Sequence, residues 1–189
     1  RATIRGKALA PHYLVMTATP IPRTLAMTVF GDLDVTTIED LPPGRAGIGT
    51  RVVGPRQQDA AWQFVRSRLA AGEQAYVVYP LIDESDKLAL RAATTEHERL
   101  SKQVFAGRTV GLLHGRLSTA ERDVVMRDFV AGRINVLVST TVVEVGIDVA
   151  NATCMVIEHA ERYGLSQLHQ LRGRVGRGQR RGYCLLLTG

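Results

Sequence analysis

The amino-acid sequence predicts an α/β fold in which a parallel sheet carries helices on both faces. Several short runs are almost continuously apolar and β-branched, which is typical of strands buried on both sides. These runs alternate with stretches of helical periodicity, which indicates βαβ units. With 189 residues, of which 45% are apolar and 22% charged, the chain can bury a substantial core.

The strand candidates share this short apolar character. They lie at 12–18, 49–54, 75–82, 110–114, 134–139, 153–158 and 182–188. We expect a central sheet of about six or seven strands, with segment 1–45 outside it.

Two helices are predicted between these strands. Residues 57–71 place apolar side chains on one face, namely Ala61, Trp62, Val65 and Leu69. Residues 119–131 follow a capping box of Ser118 and Glu121, and Gly132 is suited to end that helix. We expect its apolar face to consist of Val124, Val125 and Phe129.

Two segments interrupt this alternation. Residues 39–47, EDLPPGRAG, predict a linker because the Pro-Pro-Gly run suits neither helix nor strand. Residues 83–98 form a polar insertion within a crossover.

The composition of the chain indicates where the protein is located in the cell and which partners it lacks. No apolar run approaches the roughly 18 residues of a membrane span, and the first residues lack a signal-peptide layout and resemble the middle of a longer protein. Cys154 and Cys184 lie in apolar runs and are expected to be buried thiols rather than metal ligands. We therefore expect a cytoplasmic protein with no membrane partner and no metal held by this chain.

The basic residues concentrate at one end of the chain. The net charge is +6, and residues 160–189 carry six arginines against the single acidic residue Glu161. Such a cluster favours phosphate, from either a nucleotide or a nucleic acid.

Within that end, residues 167–178 read QLHQLRGRVGRG. Arg174 and Arg177 are three residues apart, so a helix would place them on one face. Gly173 and Gly176 would let another surface approach closely. Arginine spreads its charge over phosphate oxygens through forked hydrogen bonds. Taken alone, the segment could equally be a basic helix on a solvated face.

Three further segments place polar side chains at the ends of predicted strands. They are VLVSTTVVEVGIDVAN at 136–151, MTATPIPRT at 16–24 and GLLHGR at 111–116. Ligands of open α/β sheets bind at the carboxyl ends of the strands. Each segment alone could also be an ordinary strand exit or surface turn.

In this order and spacing, the segments resemble the C-terminal motor half of superfamily 2 helicases. TATP resembles motif III, STTVVEVGID motif V and QLRGRVGR motif VI. The sequence is most similar to the RecG family, through segments such as GDLDVTTIEDLPPGR and LLHGRLSTAERDVVM. The transcription-repair coupling translocase Mfd shares TATPIPRTL and the motif VI region and remains an alternative.

The resemblance implies a RecA-like helicase C-terminal fold of the P-loop NTPase type. Residues 1–45 would be the tail of a first RecA-like domain with a linker. Residues 46–189 would be the second RecA-like domain, truncated at its C-terminal end.

The resemblance also implies roles for single residues. Arg174 and Arg177 would act as arginine fingers on ATP, with Gln170 assisting. Gly146 and Asp148 would lie near the nucleotide.

The DNA-facing residues implied by the resemblance are Thr140, Ser139, His114 and Arg116. Thr17 and Thr19 would couple the ATP cleft to the DNA track, whereas Glu144 has no assigned role.

The nucleotide-holding half of such an enzyme is not expected in this chain. A phosphate loop needs Gly-Lys followed by Ser or Thr, but the only lysine after a glycine, Lys7, precedes Ala8. Residues 75–86, AYVVYPLIDESD, imitate an acidic magnesium box, but they follow TATP instead of preceding it. We therefore expect Mg²⁺ to be held mainly by a first motor domain, and the chain alone to be inactive as an ATPase.

The function that the resemblance implies is ATP-dependent unwinding or remodelling of branched DNA, such as stalled forks and Holliday junctions, in recombination and repair. The expected partners are branched DNA and the first motor and wedge domains of the same, monomeric protein. The alternatives are Mfd-like translocation and a nucleic-acid-binding module without catalysis.

Overall fold

The computed structural model describes Thr36 and residues 46–80, 94–140 and 149–189. The chain divides into two units, Arg1–Glu39 and Asp40–Gly189, and the elements described here belong to the second. The strand expected at 12–18 lies outside the described residues. The domain boundary placed after residue 45 therefore stays a prediction.

Six parallel strands form one sheet in the described part of the chain. They are β1 (Ile48–Val53), β2 (Gln74–Val78), β3 (Val110–Leu113), β4 (Val136–Ser139), β5 (Ala152–Ile157) and β6 (Gly182–Leu187). Their order across the sheet is β1-β6-β5-β2-β4-β3, and all neighbours pair in parallel. The parallel sheet and the six strand positions predicted within the described residues are confirmed.

Two strand ends differ from the prediction by more than one residue. β2 ends at Val78, one residue before Tyr79–Pro80, and proline has no N–H with which to continue a ladder. β4 begins at Val136 and not at residue 134, because pairing with β3 starts there.

Alternate side chains of the strands enter two separate cores. Ala75 and Val77 of β2 pack in one core, and Tyr76 and Val78 pack in the other. Both faces of the sheet are therefore covered, as the continuous apolar strands predicted.

One face is covered by helix α1 (Gln58–Ala70) and by a second helical segment. The buried residues of α1 are the four predicted ones, Ala61, Trp62, Val65 and Leu69. The second segment, α2, is helical over 94–99 and continues as a π-helical turn, Leu100–Val104.

The start of α2 lies in the polar stretch at 83–98, for which no helix was predicted. Buried side chains at and just beyond its C-terminal end hold α2 in place, since Leu100 and Phe105 are in the core and Phe105 makes an edge contact with Trp62 at 5.7 Å between ring centroids.

The other face is covered by α3 (Thr119–Val130) and α4 (Leu165–Arg172). The capping box of α3 is confirmed, because the Glu121 N–H donates to Ser118 Oγ at 3.3 Å and the Ser118 N–H donates to Glu121 Oε2 at 2.8 Å. The predicted apolar face was wrong at one position. Val124 is 48% exposed, and Met126 is buried in its place, three residues from Phe129 on the same side of the helix.

The two cysteines are buried and free, and they lie in different cores, Cys154 on the α1 side and Cys184 on the α4 side. Burial raises the pKa of Cys154 to about 11 and that of Cys184 to about 12. Both are therefore protonated, unreactive thiols at neutral pH, which confirms their structural interpretation.

Candidate functional site

Arg174 and Arg177 lie in a loop, Gly173–Arg181, which we call the arginine loop. The helix premise in the sequence analysis was wrong, because α4 ends at Arg172 and Gly173 is its C-cap. Gly176 then has a φ of 65°, which a helix cannot accommodate. The two arginines therefore do not share a helical face.

Two glycines bring this loop against neighbouring backbone. A Cβ on Gly176 would lie 3.0 Å from the backbone nitrogen of Gly182, and one on Gly178 would lie 2.9 Å from the carbonyl oxygen of Ala150. Gly182 begins β6, and Ala150 lies just before β5. The arginine loop is therefore packed where the parallel strands begin, which we call the amino edge of the sheet; the carboxyl edge is where they end. The close approach expected of the glycines occurs at Gly176.

The arginine loop folds back onto the end of α4. The Arg174 N–H donates to Leu171 O at 3.0 Å, and the Arg177 Nε–H donates to Gly173 O at 3.0 Å. Arg177 is exposed and Arg174 is half-buried, while Gln170 is exposed on the last turn of α4. The Arg174 backbone and the Arg177 guanidinium are thus held near the helix end, and both side chains have donor groups suited to phosphate oxygens.

The candidates from motif V and from the GLLHGR segment lie at the opposite, carboxyl edge. Ser139 ends β4 and Thr140 follows it, but both side chains are buried, Ser139 fully and Thr140 to 5% exposure. Neither hydroxyl is accessible to a ligand in this conformation. His114 and Arg116 follow β3 at the same edge, where His114 is half-buried and Arg116 is exposed.

His114 is a neutral donor at this edge. The backbone N–H of Arg116 donates to His114 Nδ1 at 3.3 Å, which requires that nitrogen to be an unprotonated acceptor. Burial, reinforced by the Arg116 charge, lowers the pKa of His114. The neutral ring therefore carries its proton on Nε2.

Strands of four to six residues separate the two groups of candidates. At about 3.3 Å per residue, this corresponds to roughly 13–20 Å along the sheet. The remaining candidates, Gly146, Asp148, Thr17 and Thr19, and also Glu144, lie outside the described residues. Ala150, two residues after Asp148, contacts the arginine loop at Gly178.

A buried carboxylate at the amino edge was missed by the sequence analysis. Glu73 is 3% exposed and receives hydrogen bonds from Arg68 of α1 and from the hydroxyl of Thr153 in β5. Arg180 of the arginine loop has its Nη1 3.7 Å from Glu73 Oε1 and 3.5 Å from Asn151 Oδ1. Glu73 thus connects α1, β5 and the arginine loop.

A second missed cluster lies at the carboxyl edge. The Tyr79 hydroxyl donates to Glu96 Oε2 at 3.1 Å, and Arg99 Nε donates to the same oxygen at 2.8 Å. Glu158, which follows β5, is 8% exposed, and its burial raises its pKa despite the opposing charge of Arg99. These contacts tie α2 to the ends of the central strands.

Neither cluster has a sequence signature. Glu73 and Thr153 are 80 positions apart, and Tyr79 and Glu96 are 17 apart across an insertion. Only the strand order and the packing of α2 on the sheet bring them together. No set of three metal-ligating side chains occurs among the described residues. No helix in that part of the chain is long and apolar enough to cross a membrane.

Comparison with known protein families identifies the domain that contains these residues. Residues 59–179 match the model of the helicase conserved C-terminal domain. The chain belongs to this family. The matched region extends through α1, the sheet strands β2 to β5 and most of the arginine loop.

Individual relatives refine the assignment and confirm the resemblance to RecG. This helicase C-terminal domain is 53% identical over 188 residues to the ATP-dependent DNA helicase RecG of Synechocystis, covering all of this chain and 23% of that protein. It is 52% identical to RecG of Thermotoga maritima, covering all of this chain and 24% of that one. The structure of RecG bound to a three-way DNA junction matches 91% of this chain and 22% of that chain, with a TM-score of 0.75 and 52% identity.

The matched RecG proteins are therefore about four times longer than this chain, which spans about a quarter of their length. The predicted fold class, a RecA-like helicase C-terminal domain, is confirmed.

Proposed function

We propose that this chain is the second motor domain of an ATP-dependent DNA helicase that unwinds or remodels branched DNA, such as stalled forks and Holliday junctions. The observation that carries the proposal is the arginine loop, which follows the end of α4 and carries Arg174 and Arg177. Gly176 and Gly178 pack this loop closely against Gly182 and Ala150. It occurs in a chain about half identical to RecG helicases along its whole length.

Arg174 and Arg177 act on the phosphates of ATP across the cleft between two motor domains. Bound MgATP supplies the phosphoryl group that is transferred to water. Negative charge spreads over the phosphoryl oxygens during transfer, and a forked guanidinium stabilises it by several hydrogen bonds at once. Gln170, on the adjacent turn of α4, assists in orienting the loop or the nucleotide.

The neighbouring motif V residues support the same nucleotide. Gly146 allows backbone to approach it, and Asp148 binds its ribose or the arginine loop. The contact between Ala150 and Gly178 favours this placement, because it brings the chain that follows Asp148 to the loop.

The phosphate-binding loop and the residues that bind magnesium belong to a first motor domain. This chain has no Gly-Lys-Ser/Thr sequence that could form such a loop. Thr17 and Thr19, in the segment at 1–45 that we assign to the end of that first domain, couple its ATP cleft to DNA.

His114 and Arg116 contact the DNA backbone at the carboxyl edge. Arg116 supplies charge, and the neutral His114 ring donates its Nε2–H to a phosphate oxygen. Ser139 and Thr140, which the resemblance also assigns to DNA, are buried and would contact DNA only after a local rearrangement that exposes them.

The intact protein acts as a cytoplasmic monomer on forks and junctions in recombination and repair. It contains a wedge domain and a first motor domain in the same chain. The three-way junction bound by the matched RecG structure supports branched DNA as the substrate class.

The test is steady-state ATPase activity of the full-length protein on branched DNA. Arg177→Ala should lower the turnover number by about 10³-fold or more, the scale of an arginine finger, while equilibrium nucleotide affinity changes little. Arg177→Lys should rescue poorly, because a point charge cannot replace a planar fork. Arg122→Ala, an exposed arginine on α3, is the control and should keep full turnover. Near-normal turnover of Arg177→Ala would overturn the assignment.

A further inference from the structure

The arginine loop contains three glycines, at 173, 176 and 178, between α4 and β6. Glycine-rich backbone loses more entropy on ordering than other backbone does. A loop of this composition holds a side chain in a fixed place only if other contacts restrain it. The first half is restrained by the end of α4 and by the packing of Gly176 on Gly182.

The second half is restrained by Arg180, three residues after Arg177. Its guanidinium reaches back over the start of the sheet to Glu73 Oε1 at 3.7 Å and Asn151 Oδ1 at 3.5 Å. Arg180 itself is exposed, but Glu73 is 3% exposed. The ion pair is therefore screened by water on one side only, which makes it stronger than a fully exposed pair.

The position of Glu73 is itself well defined. Arg68 binds it through Nε and Nη2, with the Nε contact at 2.8 Å, and Thr153 donates its hydroxyl to Oε2. These partners come from α1 and from β5, next to the centre of the sheet. Glu73 is thus a well-anchored acceptor between α1 and β5, and Arg180 connects the glycine-rich arginine loop to it.

We propose that Arg180 and Glu73 are positioning residues for ATP hydrolysis. They hold the arginine loop so that the guanidinium groups of Arg174 and Arg177 are correctly placed to bind the phosphates of ATP. This inference rests on the function proposed above. Neither residue touches the nucleotide. They act by limiting where the two arginines can go, and small misplacements of catalytic groups cost large factors in rate.

The first experiment compares Arg180→Ala with Arg181→Ala in the full-length protein on saturating branched DNA. Both arginines are exposed neighbours at the end of the loop, but Arg180 is the one that pairs with Glu73. Arg180→Ala should lower kcat by about threefold to tenfold with KM and equilibrium nucleotide affinity within about twofold. Arg181→Ala should leave kcat unchanged, and Arg180→Lys should restore most of the lost rate because it keeps the charge opposite Glu73.

The second experiment does not depend on activity. Hydrogen exchange of the backbone amides of the arginine loop should be faster in Arg180→Ala than in the wild type or Arg181→Ala, with exchange in β2 and β5 unchanged. Glu73→Gln should produce the same local change. The double variant Arg180→Ala/Glu73→Gln should lose no more kcat than the more affected single variant, since each single variant already removes the Arg180–Glu73 ion pair.

The outcomes separate this inference from the proposed function. If Arg177→Ala collapses turnover while Arg180→Ala changes neither kcat nor loop exchange, the positioning role is wrong and the arginine fingers stand. If Arg177→Ala leaves turnover intact, the proposed function itself fails. Equal losses in Arg180→Ala and Arg181→Ala would also overturn the inference, because they would reflect general loss of positive charge.

Discussion

At the scale of single residues, Glu158 shows how folding can take a carboxylate out of water at the carboxyl edge of the sheet. It is 8% exposed beside Tyr79, Glu96, Arg99 and His159, and burial is the largest influence on its pKa, which is raised. A raised folded-state pKa means that the ionised form is disfavoured by folding. The contribution of Glu158 to stability is therefore greatest below its unfolded pKa and is lost as the pH rises through its folded pKa.

We accordingly expect Glu158→Gln to stabilise the 189-residue chain at about pH 8 by about 1 kcal/mol, the scale of a polar desolvation cost. The gain should vanish at about pH 4, where the wild-type carboxyl is protonated. Urea unfolding at the two pH values measures this. Glu98→Gln, at an exposed glutamate of α2, is the control and should show no gain. A gain for Glu158→Gln that is equal at both pH values would contradict the burial argument.

At the scale of elements, the sequence predicted best those segments whose own residues decide the structure. The six strands were found because each is a continuous apolar run buried on both faces. The capping box of α3 was found because its two partners are three residues apart. The helix of the arginine motif was overextended, because spacing alone does not reveal that Gly173 ends α4.

Gly176 provides a test of how tightly the arginine loop packs against β6 after α4 has ended. Its φ is 65°, and a Cβ there would lie 3.0 Å from Gly182 N and 3.2 Å from Ile48 Cγ1. Gly132 is a matched control, because its φ is 76° and a Cβ there would meet nothing within 4 Å. Both replacements by alanine pay for the left-handed backbone, but only the one at Gly176 also collides with backbone.

We therefore expect Gly132→Ala to cost about 1 kcal/mol of unfolding free energy, the left-handed penalty alone. Gly176→Ala should cost about 2–4 kcal/mol, because overpacking adds to that penalty. Urea unfolding of the two variants of the 189-residue chain gives the comparison. Equal costs would show that the approach of the loop to β6 is not tight in solution.

At the scale of the whole molecule, the sequence could not reveal which candidates share a surface. The segments containing Arg177 and His114 were predicted together as parts of one motor. They lie at opposite edges of the sheet because one precedes β6 and the other follows β3, and these strands run in parallel. Likewise, Glu73, Thr153 and Arg180 meet only because β2, β5 and the start of β6 are assembled side by side. Contacts between residues distant in sequence depend on this topology, and no local pattern encodes them.

This separation predicts that nucleotide chemistry and DNA binding can be weakened independently in the full-length protein. Arg116 is exposed at the carboxyl edge, where it would neutralise DNA phosphate, whereas Arg177 lies in the arginine loop at the amino edge. Arg116→Ala should raise the DNA concentration that half-saturates ATPase stimulation and leave kcat at saturating DNA nearly unchanged. Arg177→Ala should lower kcat at saturating DNA and leave the half-saturating DNA concentration nearly unchanged.

Salt provides the check on which arginine faces DNA. Each phosphate contact contributes about one unit to the slope of log affinity against log salt concentration, because binding releases a condensed counterion. Arg116→Ala should therefore reduce that slope by about one unit, and Arg177→Ala should leave it unchanged. Fluorescence anisotropy of labelled fork DNA across a salt series measures both. A reduced slope for Arg177→Ala with an unchanged slope for Arg116→Ala would reverse the assignment of the two edges, since it would place the DNA track beside the arginine loop.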